Sequence, residues 1–283
     1  MVKRVAYLGP AGTFSEQAAL LHDPQAQLVP FSTVAAVATA VASGMADEGV
    51  MAIENSLEGS VTDTLDMLIH DSALLIRREL VLPIEHCLLA KVGASAEQIE
   101  LIYSHPQVLG QCRRFLERCF PKAAVEASLS TTDAVEQMLR RDGSAAIAGV
   151  RAAELYGVQI LARGIQDNQN NETRFVVVGA EDSGPTGHDK TSFAFSVAQD
   201  RPGSLVDALH EFSQRQINLT KIESRPTKQE LGRYVFLVDL EGHRNDAKVA
   251  EALDRVKAQA YFFKVFGSYP RFDAADASRQ HSG

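Results

Sequence analysis

The chain has 283 residues, 45% hydrophobic and 23% charged, with a formal net charge of −8 at pH 7. That composition suits one large or two ordinary globular domains and excludes a disordered chain, while the acidic balance excludes a broad nucleic-acid surface. No apolar run approaches the ~18 residues of a membrane helix, and three scattered cysteines make no disulfide framework, so a soluble cytoplasmic protein with no membrane partner is expected.

The N-terminus enters a strand pattern at once in "RVAYLG", without signal-peptide architecture, and "SEQAALLH" follows with helical spacing. "GVMAIEN" reads as a strand and "VTDTLDMLIH" as a helix. "IELIYSH" leads into one helix over "PQVLGQCRRFLERCF", "AAVEAS" into "STTDAVEQMLRR", and "SAAIAG" into "VRAAELYG". Strand followed by helix, repeated, predicts βαβ units, a largely parallel sheet and helices on both faces.

The run "FVVVG" (175–179) closes this region, and "AEDSGPTGHD" carries Gly, Pro, Ser and Asp without periodicity. Beyond it, "KTSFAFSVA", "GSLVDALHEFSQRQ", "INLTKIESRPT", "GRYVFLVDLEG", "DAKVAEALDRVKAQ" and "YFFKVFGSYP" alternate as βαββαβ, the order of a ferredoxin-like sandwich. The expected boundaries are a first domain over 1–180, a linker over 181–189, a second domain over 190–272 and a mobile tail over 273–283.

Open α/β sheets bind ligands where strands end and helices begin. At "GPAGTFSE", Gly9 and Gly12 allow a tight turn, Thr13 or Ser15 can cap the helix, and free N–H groups are expected to point outward. An ordinary capped helix start explains the same residues, and neither a Walker A loop nor GxGxxG is present. At "AIENSLEGSV", a strand ends in Glu54, Asn55 and Ser56, which must be exposed or hydrogen-bonded. At "SHPQVLGQ", Ser104 precedes a helix that Pro106 opens, with Gln107 and Gln111 on one face and His105 read as structural. The fourth junction, "SLSTTDAVEQ", supplies caps.

No histidine pattern suggests a metal, no GxSxG marks a serine hydrolase, and Cys87, Cys112 and Cys119 read as buried thiols. What remains are hydroxyls, carboxamides, backbone N–H groups and Arg174 of "NNETRF" (170–175). Such a set suits a small anion held by directional hydrogen bonds, with no cofactor or metal.

In order and spacing, "GPAGTFSE", "AIENSLEGSV", "SHPQVLGQC" and "NNETRF" resemble prephenate dehydratase, and "GSL", "NLTKIESRP" and "YVFLVDLEG" resemble the ACT regulatory domain that follows in that family. The likeness covers about residues 4–272, with no chorismate mutase segment, as in the single-activity form. It implies a two-lobed, periplasmic-binding-protein-like α/β domain with a cleft over 1–180 and an ACT domain over 190–272. The implied reaction is decarboxylative dehydration of prephenate to phenylpyruvate in phenylalanine biosynthesis.

By that resemblance Thr173 donates a hydrogen bond to the departing hydroxyl. Asn55, Ser56, Ser104, Gln107 and Gln111 orient substrate or support Thr173, while Thr13, Phe14 and Ser15 present the first loop to a carboxylate. Arg174 either meets a substrate carboxylate or holds a neighbouring loop, and Glu54 takes a supporting hydrogen-bond role. Phenylalanine is expected between two ACT domains of a homodimer or homotetramer, at Gly203, Ser204 and Leu205, at Asn218 and Leu219, and at Glu223, Ser224, Arg225 and Pro226. Ser204 stands where the family more often has alanine. For "ESRP" a strand-end turn is the plain alternative. An arogenate dehydratase or a non-catalytic amino-acid or anion sensor would share these motifs.

Overall fold

The structure, a computed structural model, describes residues 2–198, 201–227 and 234–272; the mobile tail expected over 273–283 lies outside the described residues. The chain opens with strand β1 (Arg4–Leu8), helix α1 (Phe14–His22), β2 (Gln27–Phe31), α2 (Val34–Ala42) and β3 (Glu48–Asn55). The two-residue strand β4 (Gly59–Ser60) turns back on the end of β3, pairing Asn55 with Gly59. Helix α3 (Thr62–Asp66) then runs into a π-helical turn (Met67–Asp71). Next come β5 (Leu75–Pro83), β6 (Cys87–Ala90), β7 (Leu101–Ser104), α4 (Pro106–Gln111), α5 (Arg113–Cys119) and β8 (Ala124–Ala127). They are followed by α6 (Thr131–Arg140), β9 (Ser144–Ala148), α7 (Val150–Tyr156), β10 (Gln159–Ala162) and β11 (Glu172–Gly179). The last elements are β12 (Asp189–Val197), α8 (Ser204–Ser213), β13 (Leu219–Pro226), β14 (Tyr234–Glu241), α9 (Ala247–Gln259) and β15 (Ala260–Pro270).

The strands form three sheets, ordered β2-β1-β3-β11-β5 with β4 on β3, β10-β6-β9-β7-β8, and β13-β14-β12-β15. In the second, β7 pairs parallel with β8 and β9, whereas β6 pairs antiparallel with β9 and β10. The largely parallel sheet is therefore corrected to a mixed one. The sequence hid β6 because "CLLA" is buried throughout and has no alternation to read.

The described chain divides into two compact units, one of residues up to 37, 50–61 and 81–175, the other of 38–49, 62–80 and the described residues from 176 onward. In the first, the two-residue period of the strands builds a core on each face of the second sheet. Cys87, Leu89, Tyr103 and Ala146 pack with Ala134, Val135 and Met138 of α6 on one face; Leu88, Ile102 and Ile147 pack with Val108, Cys112 and Leu116 on the other. The thiols of Cys87 and Cys112 are buried, and burial pushes them up to about 11 and about 12. Cys119 is exposed, a correction: it falls on the solvent side of the last turn of α5.

The single helix expected over 106–120 breaks at Cys112. The Gln111 carbonyl accepts from Asp167 N at 2.7 Å, and the Asp167 carboxylate accepts from Arg114 N at 3.2 Å. One loop residue thus ends α4 and caps α5.

In the second unit, β12 to β15 and helices α8 and α9 make the βαββαβ sandwich, with Phe193, Phe195, Phe212 and Val249 in its core. Residues 180–188 hold no helix or strand, yet they are tied down. Asp182 accepts from Ser268 N and Arg244, both at 2.9 Å, and Asp189 accepts from Thr186 and Gly187. No helix among the described residues is long and apolar enough to cross a membrane.

Candidate active site

Two neighbouring strands of the first sheet, β3 and β11, bring Asn55 and Thr173 together. Asn55 is the last residue of β3. Its Oδ1 accepts from Leu57 N at 2.9 Å and Glu58 N at 3.0 Å, closing an Asx turn that leads into β4. Backbone amides can only donate, so this turn fixes the side chain with Nδ2 facing β11. Asn55 Nδ2 donates to Asn171 Oδ1 at 2.8 Å and Thr173 Oγ1 at 2.9 Å, and reaches the Glu172 carbonyl at 3.1 Å. Ser56 continues the clasp: its hydroxyl donates to the Asn170 carbonyl at 3.0 Å and accepts from Glu172 N at 2.9 Å.

Thr173 is 8% exposed. Its oxygen accepts from Asn55, and its proton has no acceptor among the described residues. The hydroxyl is thus a polarised donor mounted on a rigid strand end.

Behind it the carboxamides continue. Asn171, buried to 1% exposure, donates from Nδ2 to Gln111 Oε1 at 3.3 Å. Gln111 Oε1 lies 2.9 Å from His86 Nε2, and Gln111 Nε2 donates to Glu58 at 3.2 Å. Burial holds His86 below its ordinary pKa, opposed by the Gln111 bond, so the ring is neutral near pH 7. Phe14 meets this ring edge-on at 5.8 Å, bringing the first loop alongside.

The other expected residues divide. Thr13 is the α1 N-cap: Oγ1 accepts from Glu16 N at 3.4 Å and donates to the Pro10 carbonyl at 3.0 Å. The outward N–H groups expected here are corrected in part. Gly12, at φ +85, donates its N–H to Glu16 at 2.7 Å, and Glu16 also binds Arg151. Phe14 and Ser15 keep the first-turn amides of α1.

Ser104 is fully buried and donates to the Ile147 carbonyl at 2.8 Å, so it ties β7 to β9 and does not join the Thr173 group. Gln107 is exposed on α4, and its side chain has no hydrogen bond to the Thr173 group among the described residues. His105 caps α4 through Nδ1. Arg174 faces away from Thr173, as adjacent strand residues must, and its Nη2 donates to Glu54 at 3.1 Å. That pairing compensates the Glu54 carboxylate.

Sequence reasoning missed Asn171, His86 and Glu58. Asn171 lay inside the quoted motif, and His86 was signalled by the Glu85–His86 pair that interrupts the apolar run leading into β6.

A second group lies in the other unit. Gly203 is the N-cap of α8 and Ser204 its first residue, beside a cavity of about 220 Å³ lined by Phe195, Val197, Arg201, Ser204, Ala208 and Val256. Leu205 and Leu219 pack against the sandwich core, and Asn218 is exposed. Glu223 to Pro226 are strand residues at the end of β13, paired with β14, so the strand-end turn is corrected. Arg225 binds Asp66 at 3.2 Å, and Glu223 lies 3.4 Å from Lys221.

Comparison with known proteins identifies the family. The prephenate dehydratase family model matches residues 5–183, and the ACT domain model matches residues 193–258. The bifunctional chorismate mutase/prephenate dehydratase of Aquifex aeolicus is 46% identical over 95% of this chain and 74% of its own length. The prephenate dehydratase of Mycobacterium tuberculosis is 39% identical, over 97% and 89%. Among solved structures, prephenate dehydratase of Arthrobacter aurescens in complex with L-Phe superposes with a TM-score of 0.86 at 36% identity, covering 98% of this chain and 97% of that one. GqqA, described as a novel type of quorum quenching acylase, also reaches 0.86, at 29% identity over 95% and 98%. The chain belongs to the prephenate dehydratase family, its dehydratase region followed by an ACT domain.

Proposed function

We propose that this protein converts prephenate to phenylpyruvate, with loss of carbon dioxide and water, and that phenylalanine inhibits it through the ACT domain. The observation that carries the reading is the Thr173 hydroxyl, which accepts from Asn55 and retains its own proton.

In the reaction, the ring carboxylate leaves as CO2 and its bonding electrons restore aromaticity as the C4 hydroxide departs. The thermodynamic drive is the substrate's own. What the protein must supply is stabilisation of charge on the leaving oxygen. Threonine is too weak an acid to transfer its proton beforehand, but as a donor it strengthens as that charge grows. Asn55 and Ser56 hold the strand end, while the Phe14 and Ser15 amides open α1 toward a substrate carboxylate. Arg174 compensates Glu54 and is given no substrate contact.

Hydrolysis of an acyl amide is disfavoured by the same geometry. Activating Thr173 as a nucleophile needs a base to take its proton, and neutral His86 lies three carboxamides away from that hydroxyl.

For regulation, the start of α8 and the cavity beside it support a ligand with a carboxylate and an apolar side chain. A homodimer or homotetramer joined through ACT domains and a cytoplasmic location complete the proposal. Incubating purified protein with prephenate and assaying phenylpyruvate, with and without phenylalanine, is the direct test. No phenylpyruvate from folded protein would refute the reading.

A further inference from the structure

We propose that His86 is a positioning residue for Thr173, acting through Gln111, Asn171 and Asn55 to hold the threonine proton pointing outward. The inference rests on the dehydratase reading for its kinetic consequence but on hydrogen-bond direction alone for its structural content.

The direction is fixed from both ends. At one end, Leu57 N and Glu58 N oblige Asn55 to present Oδ1 to them and therefore Nδ2 to its other neighbours. Asn171 must then offer Oδ1 to Asn55 and turn Nδ2 toward Gln111. At the other end, the Glu58 carboxylate can only accept, so Gln111 gives it Nε2 and turns Oε1 inward. That oxygen accepts from Asn171 and requires a donor from the imidazole, 2.9 Å away. His86 must therefore carry its proton on Nε2.

The opposite tautomer would place two lone pairs face to face at Gln111. It would also bury an N–H at Nδ1, which has no partner among the described residues. A bare lone pair at Nδ1 costs less than an unmet N–H together with a repulsive contact. With the ring 2% exposed, water gives the wrong tautomer little relief. Among the described residues no other donor meets the ring. Phe14 presents a ring edge, and the His86 backbone N–H is taken by Gln166 Oε1 at 3.0 Å.

A donor at the His86 position thus propagates through three amides of one polarity, and Thr173 is left as acceptor from Asn55 with its own proton directed away from the network. Without it, the Gln111 amide keeps the exposed Glu58 and the long contact to Asn171 as partners. Its inversion would set the Asn171 amide nitrogen against Asn55 Nδ2 and so strain the Asn55 hold on Thr173.

The test compares His86→Leu with His86→Gln, whose amide nitrogen can occupy the Nε2 position. His86→Leu is expected to lose about tenfold in kcat, the kinetic equivalent of one buried hydrogen bond, with KM nearly unchanged. His86→Gln is expected to recover most of that loss. His86→Leu at wild-type kcat, or His86→Gln as slow as His86→Leu in folded protein, overturns the proposal.

Nitrogen NMR of the His86 ring in the wild-type protein, without substrate, should show Nε2 protonated and Nδ1 bare near neutral pH. Protonation at Nδ1, alone or in the imidazolium, overturns the proposal even if His86→Leu fails to fold. A wild-type protein inactive on prephenate would sink the dehydratase reading, while the ring spectrum would still decide the position of the proton.

Discussion

The Thr173 hydroxyl and the Arg174 guanidinium sit one residue apart, and the alternation of a strand sends them to different partners. Thr173 goes to Asn55, and Arg174 to Glu54. Removing the hydroxyl in Thr173→Ala should cost about 100-fold or more in kcat, the range for one transition-state donor, with phenylalanine binding unchanged. Thr173→Ser, which keeps the oxygen, should lose far less, and equal losses in the two variants would show that the methyl group matters instead. That Asn55, Ser56 and Gln111 needed partners was legible because polar side chains crowding strand and helix ends need an explanation, whereas Thr173 was singled out by the family resemblance. Asn171 and His86 were not, because each is defined by a partner 60 and 25 residues away, respectively, in sequence, at Gln111. His86 also makes a pH prediction. Burial lowers its folded pKa from 6.5, so the unfolded chain takes up the proton first as pH falls. The stability it contributes is complete above the unfolded value and is lost on acidification below it. Between about pH 7.5 and about pH 5.5 the wild-type thermal midpoint should therefore drop further than that of His86→Gln, which has no proton to gain there. Parallel curves would mean that the ring is not held neutral.

Helix and strand ends, more than their middles, set this site. The apolar spacing over 106–120 is continuous, and nothing local announces a break. The break comes from Asp167, some fifty residues on, which draws off the Gln111 carbonyl and caps α5. Periodicity reports which face is buried but is silent about a distant carboxylate. Asp167→Ala should lower stability by about 1 kcal/mol, as for loss of an N-cap, and should reduce kcat by loosening Gln111. Unchanged values in urea unfolding and steady-state kinetics would remove Asp167 from this role. The βαββαβ order was legible from alternation in its strands. β6 was not, since a strand covered on both faces offers no polar residue to mark its period, and β10 is too short, at four residues, to show one. Gly267 in β15 shows a further kind of constraint. At φ +142, its added Cβ would lie 2.2 Å from the Ile76 carbonyl oxygen of β5. Gly267→Ala should therefore destabilise the protein by more than about 3 kcal/mol, read as a large fall in the denaturant midpoint.

Across the whole molecule, the obvious test of regulation is to delete the C-terminal domain, but its contacts with β5 complicate that design. Glu79 on β5 is 4% exposed, and its carboxylate is held by Lys190 at 2.8 Å and by Phe272 N at 2.9 Å. Deleting residues 190–272 would remove both of these partners from a buried carboxylate, a loss of stability that precedes any regulatory effect. A point substitution isolates the ligand instead. Ser204 opens α8 beside the cavity, where a ligand carboxylate would meet the helix N-terminus. An aspartate there suits the helix dipole and should not harm the fold, yet it sets a negative charge against the ligand's own. Ser204→Asp should therefore keep the kcat of the parent while weakening inhibition by phenylalanine at least about tenfold, since like charges brought together cost more than one such factor. Inhibition curves on the two full-length proteins decide it. Coincident curves would move the amino-acid site away from α8, and a collapse of uninhibited turnover would mean that Ser204 serves the catalytic state itself.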